Sequence, residues 1–266
     1  MIKNVLRILP FLFFMVSVSA QSLKKVQQIE GIPPKVAYRA IAHDSTGNMY
    51  VATSVDVFMI PSNSYRAQPM SIGDAIMDVD WSDEYGLIML SRDGSIQFTS
   101  TGKVIKVDAG SGATCMDVSK SMIWVGTLNG VSTVSIPQEK IVKQYTTNDG
   151  VLKSNEITFI YRDPYGIRWI GTKAGVVRIT NNKWKLYEEK QAVTAITYTD
   201  EGSWIAADSS MWLVDYNNRW YPIKAWRDLV EGPVKALSSD SKGLIYIASN
   251  MLVKYDPYQE KIISMN

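Results

Sequence analysis

The chain has 266 residues, 46% of them hydrophobic and 20% charged, with 28 Lys and Arg against 26 Asp and Glu. That composition describes a folded globular protein, and so even a charge balance gives no field to hold a nucleic-acid backbone or an anionic membrane. One cysteine and one histidine exclude an intramolecular disulfide, a cysteine-rich metal cluster and any site built on two imidazoles.

The N-terminus has the three parts of a secretory signal peptide. Lys3 and Arg7 supply the positive start, residues 8–18 are an apolar run, and Val18, Ser19 and Ala20 form a small-residue cleavage site. The run is about half of the roughly 20 residues that span a bilayer. Residues 1–20 are therefore expected to be removed, leaving 21–266 as one domain with no transmembrane segment. No cysteine lies near the cut, which closes the lipoprotein route and points to the periplasm or the extracellular space. Lys3 and Arg7 are the two surplus positive charges, so the mature chain is expected to be neutral.

A two-part phrase then recurs along the chain. Asp44-Ser-Thr-Gly47 is followed by Tyr50-Val-Ala-Thr53, and Asp83-Glu-Tyr-Gly86 by Ile88-Met-Leu-Ser91. Trp124-Val-Gly-Thr127 keeps only the second half, with Ser119-Lys-Ser121 in place of the turn. Asp163-Pro-Tyr-Gly166 is followed by Trp169-Ile-Gly-Thr172, Asp200-Glu-Gly202 by Trp204-Ile-Ala-Ala207, and Asp240-Ser-Lys-Gly243 by Tyr246-Ile-Ala-Ser249. The second halves begin at 50, 88, 124, 169, 204 and 246. Such a period is the length of one four-stranded propeller blade.

Each copy reads as four strands. The first alternates apolar and polar residues, as in Ile76–Val79, Ile157–Ile160, Val193–Ile196 and Val234–Leu237. Asp-x-x-Gly is a tight turn, in which Asp accepts backbone N–H groups and Gly supplies a positive φ. The second strand carries an aromatic and a small residue. The third includes Gly175–Thr180 and Met251–Tyr255, and the fourth, charged and aromatic, suits an outer edge, as in Ile141–Tyr145 and Lys183–Tyr187. No long helical periodicity appears; Ala225–Glu231 is the best candidate and is short. The expected fold is all-β: a six-bladed β-propeller of four-stranded blades. Trp124, Trp169, Trp204, Tyr50 and Tyr246 are then expected to fill the wedges between blades, with a stacking platform for sugars as the alternative. Residues 24–29 read as one more fourth strand, because Glu30-Gly31-Ile32 echoes Asp149-Gly150-Val151. They are expected to pair into the sixth blade and latch the ring.

The stretch from Asn155 to Thr180, with Asp163-Pro-Tyr-Gly166 and Trp169-Ile-Gly-Thr172 at its centre, resembles the two-component-regulator propeller repeat. Tyr145–Leu152 resembles the linker between blades of that family. The resemblance is strongest in the fourth copy and covers most of residues 36–256. It implies a periplasmic ligand-sensing propeller of the kind found in hybrid sensor kinases. Similar propellers occur as accessory proteins of type IX secretion. No kinase motif or transducing helix accompanies the repeat here.

Chemistry is sparse. No phosphate loop, zinc motif or nucleophile elbow is present. The acidic pairs Asp83-Glu84, Glu188-Glu189 and Asp200-Glu201 read as solvated turns, and Cys115, between Thr114 and Met116, as a buried small hydrophobe. His43 aligns with Arg162 of the fourth copy and reads as structural. No catalytic residue, metal ligand or cofactor is expected. The candidate ligand-binding residues are Trp226 and Arg227, in an insertion-like stretch between blades, and Tyr161 and Arg162, at a first-strand end; packing at the rim is the competing reading. The expected function is non-catalytic binding of a protein partner or a small glycan-like ligand. The alternative is a propeller enzyme, a lyase or glycan-acting hydrolase.

Overall fold

The repeated turns form as their local chemistry dictates. In the computed structural model, which describes residues 29–266 except 74, 109, 111, 188–192, 208–209, 224–229, 231, 241, 260 and 266, Asp44 Oδ1 accepts the N–H groups of Thr46 and Asn48. Asp163 does the same for Tyr165 and Ile167, and Asp240 for Lys242 and Leu244. Gly47, Gly166 and Gly243 close these turns at φ 86°, 82° and 78°, where a β-carbon would clash with the backbone. The threonine ending the second strand staples the next turn: Thr53, Thr127 and Thr172 each donate Oγ1–H to the carbonyl three residues on.

These turns join six antiparallel sheets, each with its four strands in chain order. The first blade holds β1 (Tyr38–His43), β2 (Met49–Thr53), β3 (Val57–Ile60) and β4 (Gln68–Pro69). The second holds β5 (Ile76–Ser82), β6 (Gly86–Ser91), β7 (Ser95–Phe98) and β8 (Val104–Lys106). The third holds β9 (Ala113–Val118), β10 (Met122–Thr127), β11 (Gly130–Ser135) and β12 (Lys140–Tyr145). The fourth holds β13 (Ile157–Arg162), β14 (Arg168–Thr172), β15 (Gly175–Thr180) and β16 (Lys183–Tyr187). The fifth holds β17 (Val193–Thr199), β18 (Gly202–Ala207), β19 (Ser210–Val214) and β20 (Trp220–Pro222), and the sixth β21 (Ala236–Ser239), β22 (Ile245–Ala248), β23 (Leu252–Asp256) and β24 (Lys261–Met265). This is the six-bladed propeller that the repeat predicts. Its helical structure, among the described residues, is one turn at Thr147–Asp149, held by a capping box of Thr146 and Asp149.

Two turns differ from the sequence reading. In the second and fifth blades Ser82 pairs with Gly86 and Thr199 with Gly202, so Ser82 and Thr199 stand where Asp44 and Asp163 stand elsewhere. Their hydroxyls accept the N–H groups of Tyr85 and Glu201, while Asp83 and Asp200 move to the turn tips. The innermost strands of the first five blades also share a register shift near their starts, as between Ile157 and Phe159 and at the equivalent places in the others. Such a bulge bends the strand and raises its twist.

Apolar clusters join successive blades. Ile88, Leu90 and Ile96 of the second blade meet Met116, Ile123 and Val125 of the third, and Trp204 and Met211 of the fifth meet Ile245 and Val253 of the sixth. Burying each such side chain is worth about 2 kcal/mol. Trp169 and Trp204 are buried between blades, as expected of wedge-filling residues. The small residue after the aromatic has a matching reason. A β-carbon on Gly171 would lie 2.0 Å from the Phe159 ring, and one on Gly126 would lie 2.6 Å from both Cys115 Sγ and Ile157 Cγ2.

Of the expected latch only Ile29 is described, and it packs against the first blade. The outer edge of β23 is occupied by β24, its own hairpin neighbour. Glu30 instead bridges to Arg66 of the first blade, donating its N–H to Tyr65 O and accepting from Ala67 N. Closing a short hairpin costs far less chain entropy than recruiting a strand from the other end of the sequence. Of the predicted latch, residues 24–28 lie outside the described residues, as does the leader at 1–20.

Candidate functional site

The innermost strands lie side by side but belong to separate sheets, so their inward edges have backbone groups with no ladder partner. Side chains of the neighbouring blade complete them. Asp78 Oδ2 accepts Met116 N at 2.7 Å, and Asp80 Oδ2 accepts Val118 N at 3.1 Å. Arg39 donates to Ile76 O at 2.7 Å, and Ser239 Oγ donates to Tyr198 O at 2.5 Å. Burial pushes the Asp78 carboxyl up to about 7, against the pull of the Met116 and Val79 N–H groups and with further push from Asp80 and Asp117. Asp80 is raised by burial too. Cys115 packs its sulfur beside Gly126, and burial drives its thiol up to about 12, which leaves it inert at neutral pH.

At the hairpin end of the third and fourth blades the pattern changes. Asp117 occupies the register position of Asp80, opposite Trp124 where Asp80 is opposite Ile88. Its carboxylate takes a forked contact from Arg168, with Nε at 3.0 Å and Nη2 at 2.6 Å from Oδ2. Arg162 Nε lies 3.8 Å from the other oxygen. Arg162 and Arg168 are directly opposite each other in the β13–β14 ladder, a like-charge pair that costs stability unless an anion bridges it. Asp117 is that bridge. Arg168 also lies over the Trp124 ring at 4.3 Å and is nearly enclosed. Arg162 keeps 40% of its side chain exposed, so one positive charge of the trio faces solvent.

Tyrosines flank this trio. Tyr161 precedes Arg162 on β13, points to the opposite face, and packs in the cluster of Trp169 and Ile196. Burial raises its phenol, helped by Asp163, Tyr198, Asp117 and Tyr216. Tyr165, in the turn after β13, meets Tyr216 edge to face at 4.8 Å, and both are exposed. Tyr216 anchors itself by donating to Thr199 O at 3.1 Å. Tyr165 of the fourth blade and Tyr216 of the fifth thus form a small exposed aromatic shelf, three residues along the chain from Arg162, whose side chain turns to Asp117 of the third blade.

Of the predicted site residues, Arg162 joins Asp117 and Arg168, whereas Tyr161 points to the opposite face and packs against the core, the competing reading. Trp226 and Arg227 lie outside the described residues. Asp117, Arg168, Tyr165 and Tyr216 are added by the structure. Tyr165 and Tyr216 had a legible signal, since both sit in turns beside an Asp, whereas nothing in the spacing links Asp117 to Arg168. His43 is exposed at the end of β1, its Nδ1 3.5 Å from Asp44 O. Among the described residues no group of three or more His, Cys, Asp or Glu side chains has the arrangement of a metal site, and no helix is long and apolar enough to cross a membrane.

No family model matches the sequence, and no curated protein does. Solved structures share the fold at low identity. The extracellular domain of a B. thetaiotaomicron protein assigned to the hybrid two-component systems superposes with a TM-score of 0.73 at 16% identity, covering 89% of this chain and 34% of that one. The chain thus spans about a third of that domain. Virginiamycin B lyase from Staphylococcus aureus gives a TM-score of 0.68 at 13% identity, over 86% of this chain and 84% of the lyase. A streptogramin B lyase gives 0.69 at 13%, over 90% and 85%. A two-component sensor domain and two lyases thus share one propeller architecture with this chain, and a shared fold does not choose among their tasks.

Proposed function

We propose that this chain is a non-catalytic propeller that works outside the cytoplasm and binds a ligand through the Tyr165–Tyr216 shelf, with Arg162 as a second contact. The observation that carries this reading is the exposed Tyr165–Tyr216 pair, with Arg162, three residues before Tyr165, only partly neutralised by Asp117. Exposed aromatic faces stack on apolar ring faces such as those of sugars, and a guanidinium pairs with carboxylate, sulfate or hydroxyl groups. An acidic oligosaccharide is the ligand class that uses both halves of the site. The fold likeness to a sensor extracellular domain supports the same direction. Titration of the mature protein with galacturonate oligomers and with uncharged glucan oligomers, followed by calorimetry, tests it. Binding of the acidic series that is lost in Arg162→Ala is the expected result. A stable protein partner with no glycan binding would move the role to an assembly scaffold.

The likeness to the lyases carries the second reading, an enzyme. The one histidine of the chain stands exposed at the end of β1, away from the Asp117 trio on β9, β13 and β14. Virginiamycin B incubated with the mature protein and followed by mass spectrometry decides between the two readings. Product formation at a rate above that of buffer would replace binding by catalysis.

A further inference from the structure

The blades place equivalent residues in equivalent surroundings at five junctions, and the register of the inner hairpins shows which residues are equivalent. Ile76, Ala113, Ile157 and Val193 begin the first strand of their blades and are at most 2% exposed, covered by the blade before. Tyr38 holds that position in the first blade and is 63% exposed. Three residues on, Val79, Met116, Ile160 and Ile196 are at most 8% exposed, whereas Ile41 is 63% exposed. The other side of the junction matches. Val57, Ile96, Val131, Val176 and Met211 start the third strand and are at most 1% exposed under the blade that follows, whereas Leu252 of the sixth blade is 46% exposed. Both walls of the seam between the sixth and first blades therefore keep apolar positions that face a blade elsewhere and, among the described residues, face none here. The outer part of the first wall, Val51, Phe58 and Ile60, is covered by Ile29 and Ile32. Among the described residues its inner part is bare.

We propose that this seam is a docking site for one further β-blade presented by a partner polypeptide. The two walls are of different kinds. The first blade offers the face that meets a preceding blade, and the sixth offers the face that meets a following one. A helix or a single extended peptide covers one wall. A blade carries both complementary faces, and the five internal junctions, built from the same register positions, are its template. The partner's contact residues are accordingly aliphatic at the positions equivalent to Ile76 and Val79 on one face and to Ile96 on the other.

The test joins a second copy of residues 146–187, the linker and fourth blade, after Asn266 of the mature chain. The expected result is a thermal midpoint higher by about 5 °C or more, with less binding of a dye that reports exposed apolar surface. Ile41→Glu and Leu252→Glu leave the unextended chain unchanged, because both side chains are exposed, and abolish the gain in the extended one. No gain, or a gain indifferent to the two substitutions, overturns the proposal. Two measurements on the unextended chain distinguish other occupants. A dimer by light scattering that dissociates in Ile41→Glu makes the occupant a second copy. An Ile41→Cys, Leu252→Cys variant that oxidises to an intramolecular disulfide as a monomer shows that the ring shuts on itself. Either result overturns the partner-blade assignment, and their absence together with the gain supports it.

Discussion

The fourth and sixth blades are built on the same strand order and finish in different states. In the fourth, Trp169, Ile170, Val176 and Val177 are all at or near full burial, and Gly171 leaves room for the Phe159 ring. In the sixth, Leu252 and Ile263 lie open, and Ala248 at the Gly171 position is only half-buried. A blade is thus not stable by its own sequence pattern alone. What its apolar face is worth depends on whether a second sheet covers it.

This contrast can be broken by substitution. The largest effect is expected from Gly171→Val, whose β-carbon would enter the Phe159 ring; a loss of about 4 kcal/mol or failure to fold is expected. Ala248→Val at the equivalent place should stay within about 0.5 kcal/mol. Equal losses by urea unfolding would erase the difference between the blades. Next comes Ile160→Ala, expected to cost about 3 kcal/mol by cavity formation, against about 0.5 kcal/mol or less for Ile41→Ala at the same register position.

The third prediction concerns pH. Asp78 is buried and raised to about 7, from an ordinary 3.8. A carboxyl raised on folding stabilises the fold while protonated, and that contribution is lost as pH rises from the unfolded value through the folded one. Relative to Asp78→Asn, the wild-type protein should lose about 2 kcal/mol between pH 5 and pH 7. Unfolding curves of both proteins at both values check this, and parallel pH dependences would show that Asp78 is not the titrating group. The smallest effect is expected from Arg162→Ala, within about 0.5 kcal/mol on stability because Arg168 still holds Asp117. Thermal unfolding measures it, and a larger loss would mean that Arg162 is structural rather than available to a ligand.

Much of the fold was legible, and the particular residues show why. Asp44, Asp163 and Asp240 make their turns with groups two and four residues away, so the motif contains the whole interaction. Ser82 and Thr199 escaped notice because a hydroxyl does the work of a carboxylate there, and a nearby Asp at the turn tip offered a false match. The site was half legible. Tyr161 and Arg162 stood out at a strand end, but Arg168 and Asp117 are 51 residues apart and meet through the packing of two blades.

By itself the sequence determined the repeat, the number of blades and the chemistry of most turns, because each is set by contacts within a few residues or by a period that any blade must obey. The tertiary structure alone decided that the Asp78 carboxyl is desolvated and raised, that Arg162 is the less enclosed of two arginines on one carboxylate, that Ile29 and Ile32 lie on the first blade, and that one seam is bare among the described residues. Each of these is a matter of what stands on the far side of a sheet face, where burial, desolvation and charge pairing are settled by residues distant in the chain.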